Sequence, residues 1–522
     1  MKRHRRHQTV TPGRALRLGR VIISMAMLAA ATLLFTTLDA RLALRLGWVA
    51  RLQIFPLAMA GAFTALAAWL LATLLFGRVY CSSVCPMGAL QDIFSRIPRL
   101  RRKWRRRHPY RFAEANNRLR YLMLLTVAAC TVGGLAAIPT LLDPYSAFGR
   151  FCSSAILPLV EAAGGKEAVI ASGVALLISL LTVAAVGAAA WFNGRVICNT
   201  VCPVGSALSI PARWSLFHFD IDTDRCINCR ACEHACKARC ISMADHVVDS
   251  SRCVVCFDCV AACGEGAIRY TTRRKRLSIP MLQRVGTTEV GTAANIQRPG
   301  AAPMPSARPT TPDAPVRIDR RRFLATGLLV AAAPALSAIA DAAARAEGAN
   351  TACRRLKPIH PVAPPGRRSM ADFLDRCTGC GLCVAHCPTH ALTPSTGQLG
   401  WLHPLKPVMD YDRGACLFDC TRCTDLCPTG ALTPLTIDEK HIFIIGHARV
   451  EAANCIGCGL CAEICPRRTI TLRRRPAPHG GAGSGQSEYI AVVDTSGCIG
   501  CGACQNICPA TPWKAITVDG II

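Results

Sequence analysis

Acidic residues are scarce in this chain. Only 32 Asp and Glu stand against 61 Lys and Arg, a formal net charge of +29 over 522 residues. Aromatic residues make up 6%. No C-x-x-C-H haem-attachment motif occurs, and no G-x-G-x-x-G follows a strand-like run. These absences exclude a covalently bound haem and a dinucleotide-binding domain. Nothing in the chain has the size of a molybdenum-enzyme domain. The basic excess would suit nucleic acid, but its placement argues for no nucleic acid.

The charge is interrupted by long apolar stretches. Val21–Leu38, Leu52–Gly77, Tyr121–Leu142 and Ala168–Gly194 are almost free of charge. Each approaches or exceeds the roughly 17–25 residues of a membrane-spanning helix, so four spans are expected. The basic residues then orient the chain. Met1–Arg20 carries seven Lys or Arg and Arg78–Arg120 carries twelve, whereas the loops 39–51 and 143–167 are sparser. By the positive-inside rule the N-terminus, the Arg78 loop and the segment after Gly194 face the cytoplasm. Membrane lipid is the partner implied by the positive charge.

What the chain has in abundance is cysteine, 32 residues. Twenty-four fall into six short runs. The first two are Cys226, Cys229, Cys232, Cys236 and Cys253, Cys256, Cys259, Cys263. The third is Cys377, Cys380, Cys383, Cys387, and the fourth Cys416, Cys420, Cys423, Cys427. The last two are Cys455, Cys458, Cys461, Cys465 and Cys498, Cys501, Cys504, Cys508. Five read C-x2-C-x2-C-x3-C, the bacterial ferredoxin spacing, and the run at Cys416 has one extra residue in its first gap. Each iron of a [4Fe–4S] cube takes one outside ligand, and thiolate is the soft donor it prefers. Zinc knuckles are normally separated by longer loops. Six [4Fe–4S] clusters are therefore expected, with these 24 cysteines as iron ligands. In two-cluster ferredoxins the fourth Cys of a run serves the neighbouring cluster, so the runs should work in pairs. Small residues and an apolar stretch follow each run, which suggests a repeated unit of loop, helical turn and strand.

Two further motifs are Gly77-Arg-Val-Tyr-Cys81-Ser-Ser-Val-Cys85-Pro86 and Gly194-Arg-Val-Ile-Cys198-Asn-Thr-Val-Cys202-Pro203. Each follows an expected span, as if a two-helix unit were duplicated. Cys81, Cys85, Cys198 and Cys202 could ligate a cluster, cycle as dithiols, or shape a helix exit. Cys130, Cys152, Cys240 and Cys353 read as buried structural cysteines. Cys240, four residues past Cys236, is the one to watch. His4, His7 and His108 read as parts of a solvated basic face.

Residues 283–318 are rich in Pro, Ala, Thr and Gly, the composition of a flexible tether. They lead to Asp319-Arg320-Arg321-Arg322-Phe323-Leu324 and a modest apolar stretch. A twin arginine before such a stretch marks the twin-arginine export route. An uncleaved signal there would add a fifth span and place the last ~170 residues across the membrane.

Residues from about 10 to 280 resemble the NapH and MauN membrane ferredoxins. Residues from about 317 to 522 resemble the NapG and MauM exported ferredoxins. The motifs that carry this are the two C-x3-C-P sites, the six cluster runs and the twin arginine. The first two runs lack the usual proline after the fourth Cys. The resemblance implies a fused quinol dehydrogenase module in the bacterial inner membrane. It would pass electrons from the quinol pool, or a cytoplasmic donor, to a periplasmic c-type cytochrome or reductase such as nitrate reductase. An alternative is a NosR-like accessory factor for a periplasmic metalloenzyme such as nitrous oxide reductase. The expected fold is a polytopic α-helical membrane domain with α+β bacterial-ferredoxin-like domains on both sides. Its parts are a basic tail (1–20), a four-span domain (21–215), a cytoplasmic two-cluster domain (216–282), the tether (283–318), the signal or fifth span (319–345) and a periplasmic four-cluster domain (346–522).

Overall fold

The computed structural model describes residues 12–100, 109–165, 172–272, 358–475 and 488–521. The tether, the twin-arginine segment, Cys353 and the three histidines of the basic face lie outside the described residues. Residues 1–275 and 355–522 form one compact unit.

The first helix, α1 (Pro12–Thr36), is 25 residues long. After it come α2 (Ala40–Arg51), α3 (Ile54–Ala60), α4 (Phe63–Phe76), α5 (Val79–Ser83) and α6 (Pro86–Leu100). Then follow α7 (Asn117–Val132), α8 (Ala137–Leu142), α9 (Pro144–Phe151), a π-helical turn at Cys152–Ile156, and α10 (Leu157–Ala163). The helical half ends with α11 (Gly173–Asn193), α12 (Val196–Thr200) and α13 (Pro203–Ala212). The cysteine motifs mark α4–α5–α6 and α11–α12–α13 as two copies of one unit.

The expectation of four spans is corrected. Among the described residues two helices are long and apolar enough to cross a bilayer, Gly13–Thr36 and Gly173–Asn193. The pair α2 and α3 qualifies only if counted as one span, and it is bent by 88°. The stretch Leu52–Gly77 is interrupted at Gly61, whose φ of +71° ends α3. The stretch Tyr121–Leu142 is interrupted at Gly133 and at Gly134, also at φ +71°. A left-handed glycine stops a helix without steric cost. The remaining piece α4 has 14 residues, about 21 Å at 1.5 Å per residue. That is short of a ~30 Å hydrocarbon layer.

The first cluster-bearing body is bracketed by β1 (Phe217–Ile221), which pairs antiparallel with β4 (Ile268–Thr272). Between them β2 (Ile241–Ser242) pairs with β3 (Val247–Val248). In the C-terminal part β5 (Leu392–Pro394) pairs with β6 (Pro407–Met409), and β8 (Ile470–Arg474) with β9 (Tyr489–Val493). There β7 (Gly446–Val450) and β10 (Ile516–Gly520) bracket the last two runs as β1 and β4 bracket the first two. Each cysteine run carries a four- or five-residue helical turn near its third Cys, as at Ala231–Ala235 and Leu382–Ala385. The expected strand after each run is present except after the run at Cys416, where the next element is the helix Ile437–Ile442.

The two ends of α1 fix where these bodies sit. Near its start Arg17 pairs with Asp258, inside the second run, at 2.7 Å. Near its end the Leu34 carbonyl meets His386 Nε2, inside the third run, at 2.7 Å. These contacts are 17 residues apart along one helix, roughly 25 Å.

Candidate iron–sulfur centres and the membrane thiols

The last two runs exchange their fourth cysteines. One small cavity is lined by Cys498, Cys501, Cys504 and Cys465. Another is lined by Cys455, Cys458, Cys461 and Cys508. Three thiols from one run and the last from its neighbour thus face each space, the donor set a cube would take. The same exchange recurs in the other pairs. Burial pushes the Cys380 thiol up to about 12, with Cys377 and Cys427 adding to it. Cys423 is raised by burial and then by Cys416, Cys420 and Cys387. In the first body Cys232 is raised to about 11 by burial and by Cys263 and Cys226. Cys259 is raised by burial and then by Cys256, Cys253 and Cys236.

Among the described residues no three Cys, His, Asp or Glu close on a point as ligands of a single metal ion would. Ligands of a cube bind separate irons, so their sulfurs stand further apart. The quartets above fit that chemistry. When bound, such clusters take up and release single electrons.

The two C-x3-C-P motifs also come together. Within each, the thiols are four residues apart, the first in a short helix and the second in the residue before the next helix. Cys81 and Cys198 lie in the short helices α5 and α12. Cys202 caps α13 and accepts from Gly205 N at 3.4 Å, and Cys85 immediately precedes Pro86 at the start of α6. Proline suits a first helical position because its missing N–H costs nothing there. Arg78 joins the copies: its guanidinium lies 3.7 Å from Cys81 Sγ and donates to the Cys198 carbonyl at 2.9 Å. Arg195 reciprocates, donating to the Cys81 carbonyl and, at 3.0 Å, to the Gly88 carbonyl. Burial raises the Cys85 thiol, and Cys198 and Cys81 raise it further. Cys202 is raised by burial and then by Cys198, Cys85 and Cys81. All four thiols therefore share one neighbourhood.

Sequence reasoning missed the arginines. Arg78, Arg120 and Arg195 are fully buried. Arg195 pairs with Asp92 at 2.8 Å, and Lys237 bridges Asp92 (3.3 Å) and Asp258 (2.7 Å). The Arg195 backbone N–H also donates to the Lys237 carbonyl, next to Cys236. Arg78 and Arg120 both donate to the Ser251 carbonyl, just before Cys253. Both motif arginines thus tie the thiols to a run of the first cluster-bearing body. The signal was present: Arg precedes Cys by three residues in both motifs.

Of the leftover cysteines, Cys130 and Cys152 are buried in the helical half. Cys240 differs: its sulfur lies 3.5 Å from Cys236 Sγ.

Comparison with known proteins agrees with this chemistry. Residues 57–107 and 174–221, which contain both C-x3-C-P motifs, match a family model described as a 4Fe-4S binding domain. Residues 376–431 and 454–511 match a 4Fe-4S dicluster domain, and 408–466 match a second dicluster model. Residues 223–239 match another 4Fe-4S binding domain. The chain is 28% identical over 170 residues to the regulatory protein NosR of Pseudomonas aeruginosa, covering 32% of this chain and 21% of that protein. It is 26% identical over 176 residues to NosR of Stutzerimonas stutzeri, covering 33% and 22%. Over 181 residues it is 29% identical to the methylamine utilization ferredoxin-type protein MauM of Methylorubrum extorquens, covering 32% and 73%. The chain thus spans about a fifth of the length of the NosR proteins it matches. No solved structure matches it. Together the matched domains and the two apolar helices describe a membrane-associated, ferredoxin-type iron–sulfur protein with several 4Fe–4S domains.

Proposed function

We propose that the chain is an electron conduit across a membrane, fed by quinol or a cytoplasmic donor and discharging to a periplasmic cytochrome or reductase. The observation that carries this reading is the contact of α1 with cluster runs near both of its ends, through Arg17–Asp258 and Leu34–His386. The roughly 25 Å between them is comparable with a bilayer's hydrocarbon layer. The chain's own residues would hold six [4Fe–4S] clusters in the 24 run cysteines. A fused chain fixes the ratio of the two cluster-bearing parts and holds them at high local concentration.

The test is reduction of the purified protein in membranes by a reduced quinol analogue, followed by reoxidation with a soluble c-type cytochrome. Cluster bleaching and recovery are the expected spectra. If no cluster is reduced at any accessible potential, the conduit reading fails. That result would favour a second reading, an accessory or regulatory protein, which the similarity to two NosR proteins supports.

Sidedness has its own test. Changing Arg320 and Arg321 to Lys should leave the 377–508 runs protected from protease in spheroplasts, whereas in the parent they should be cut. Digestion of the variant as in the parent would mean that the twin arginine is not the export signal.

A further inference from the structure

Near its start, α1 meets α6 and the second cysteine run, and the cleft at this junction is strongly basic. We propose that it binds the phosphodiester headgroup of one anionic glycerophospholipid, with an acyl chain lying along α1. The lipid would hold the first cluster-bearing body against the membrane. This goes beyond the conduit reading and does not depend on electron flow.

The first argument is charge. An open cavity of about 530 Å³ is lined by Arg14 and Arg17 of α1 and by Arg96 of α6. That is room for a ligand of headgroup size. A neighbouring cavity shares Arg17 and Arg96 and adds Arg99, Lys237 and Asp258. Of these six side chains five are Arg or Lys and one is a carboxylate. That carboxylate is already engaged, by Arg17 and Lys237 at 2.7 Å each. Arg96 comes no closer to it than 3.9 Å, and its side chain is 41% exposed. Its Nη2 makes no hydrogen bond. A phosphate oxygen is the acceptor that a planar guanidinium fork suits best.

The second argument is the order of residues along α1. Arg14, Arg17, Leu18 and Val21 line the larger cavity together. They are three or four residues apart and so share one helix face. The face continues to Met25, and both Leu18 and Met25 are exposed. The stripe is cationic in its first turn and apolar afterwards. Val21–Thr36 contains no charged residue, about 24 Å of helix. Arg17 lies about 6 Å before Val21, and Arg14 about 10 Å. With the hydrocarbon starting at Val21, the headgroup layer occupies the preceding ~5–8 Å. Arg17 therefore stands at phosphate depth, and Leu18, Val21 and Met25 stand beside the start of an acyl chain.

A soluble acidic protein would answer the charge but not the apolar half of the stripe. A phospholipid answers both. Its phosphate would join Arg14 and Arg17 of α1 to Arg96 of α6, beside the Arg17–Asp258 pair that ties α1 to the second run. A ligand held only by the folded arrangement stabilises that arrangement.

The experiment uses the full chain, delipidated in a neutral detergent, and counts bound lipid by native mass spectrometry. The probes are phosphatidylglycerol and phosphatidylcholine. The parent should retain one phosphatidylglycerol at concentrations where phosphatidylcholine leaves it bare. Arg14→Gln/Arg96→Gln spares the Arg17–Asp258 pair. It should weaken that binding about thirtyfold, the weight of two basic residues at an anionic surface, with iron content unchanged. Arg118→Gln/Arg225→Gln, which removes two exposed arginines outside the cleft, should leave it nearly unchanged. Equal losses in the two variants would mean diffuse attraction and overturn the site. Phosphatidylcholine held as tightly as phosphatidylglycerol would overturn it too. So would displacement of the lipid by inorganic phosphate, which would make the cleft a simple anion site. If the Gln variant fails to assemble its clusters, Arg14→Lys/Arg96→Lys decides. It keeps the charge and loses the fork, so phosphatidylglycerol should bind several-fold more weakly; unchanged binding overturns the proposal. Should the Gln variant keep its lipid yet lose electron uptake from a reduced acidic ferredoxin, the cleft docks a donor protein and the lipid reading fails.

Discussion

Replacing Cys377 and Cys427 together with Ser should cost one cluster, about four irons, whereas replacing Cys416 and Cys427 together should cost two, about eight. The reason is the exchange of fourth cysteines. Cys427 belongs by sequence to the run at Cys416, yet it bears on Cys377 and Cys380. Two substitutions in one ligand set are redundant, and two in separate sets add. The same logic applies at the C-terminus. Cys508 lines the cavity of Cys455, Cys458 and Cys461, so Cys455→Ser/Cys508→Ser should lose half the iron that Cys498→Ser/Cys508→Ser loses. Iron and sulfide per chain after anaerobic purification measure both. If the same-run pair lost the smaller amount, each run would be closing on its own cluster and the exchange would be refuted.

The contrast between what the sequence revealed and what it hid follows range. A run occupies eleven or twelve consecutive residues, so its ligand spacing is a local property that can be read directly. That the fourth Cys serves a neighbouring cluster follows from the ferredoxin spacing, but which two runs pair depends on their folding together, and no spacing encodes it. Hydropathy misled for a similar reason. A window of apolar residues averages over a single glycine, so Leu52–Gly77 and Tyr121–Leu142 read as unbroken. In the folded chain the left-handed conformations of Gly61 and Gly134 divide them. The run with the extra residue, at Cys416, is also the one that lacks a following strand. The thiol quartet lies between these cases. The repeat of G-R-V-x-C-x-x-V-C-P was visible, but that Arg78 reaches Cys198 is a contact over 120 positions. The tether, the twin arginine and Cys353 remain expectations, because they fall outside the described residues.

Asp92→Asn should destabilise the protein more than any other single change at a charged side chain of this junction, by about 3–5 kcal/mol, the usual cost of breaking a buried pair from one side. One carboxylate there faces three cations: Arg20, Arg195 at 2.8 Å and Lys237 at 3.3 Å. Burial alone would raise the Asp92 carboxyl. Arg195, Lys237 and Arg20 outweigh it and hold the group well below the usual carboxylate range. A depressed folded value contributes stability above the unfolded value of about 3.9, and loses it only as the pH falls through the folded one. The deficit of Asp92→Asn should therefore be the same from pH 6 to pH 8, where Asp92 is ionised folded or unfolded. Thermal unfolding of the detergent-solubilised variant and parent across that range measures it. Asp92→Glu, which keeps the charge, should recover part of the loss, whereas Asn keeps the shape and recovers none. A deficit under about 1 kcal/mol, the range of an exposed ion pair, would mean that Asp258 already satisfies the cations. A deficit that changes between pH 6 and pH 7 would point to a titrating histidine. The flat, large deficit is expected because three buried cations cannot all turn to Asp258, whose carboxylate already receives Lys237 at 2.7 Å and Arg17 at 2.7 Å.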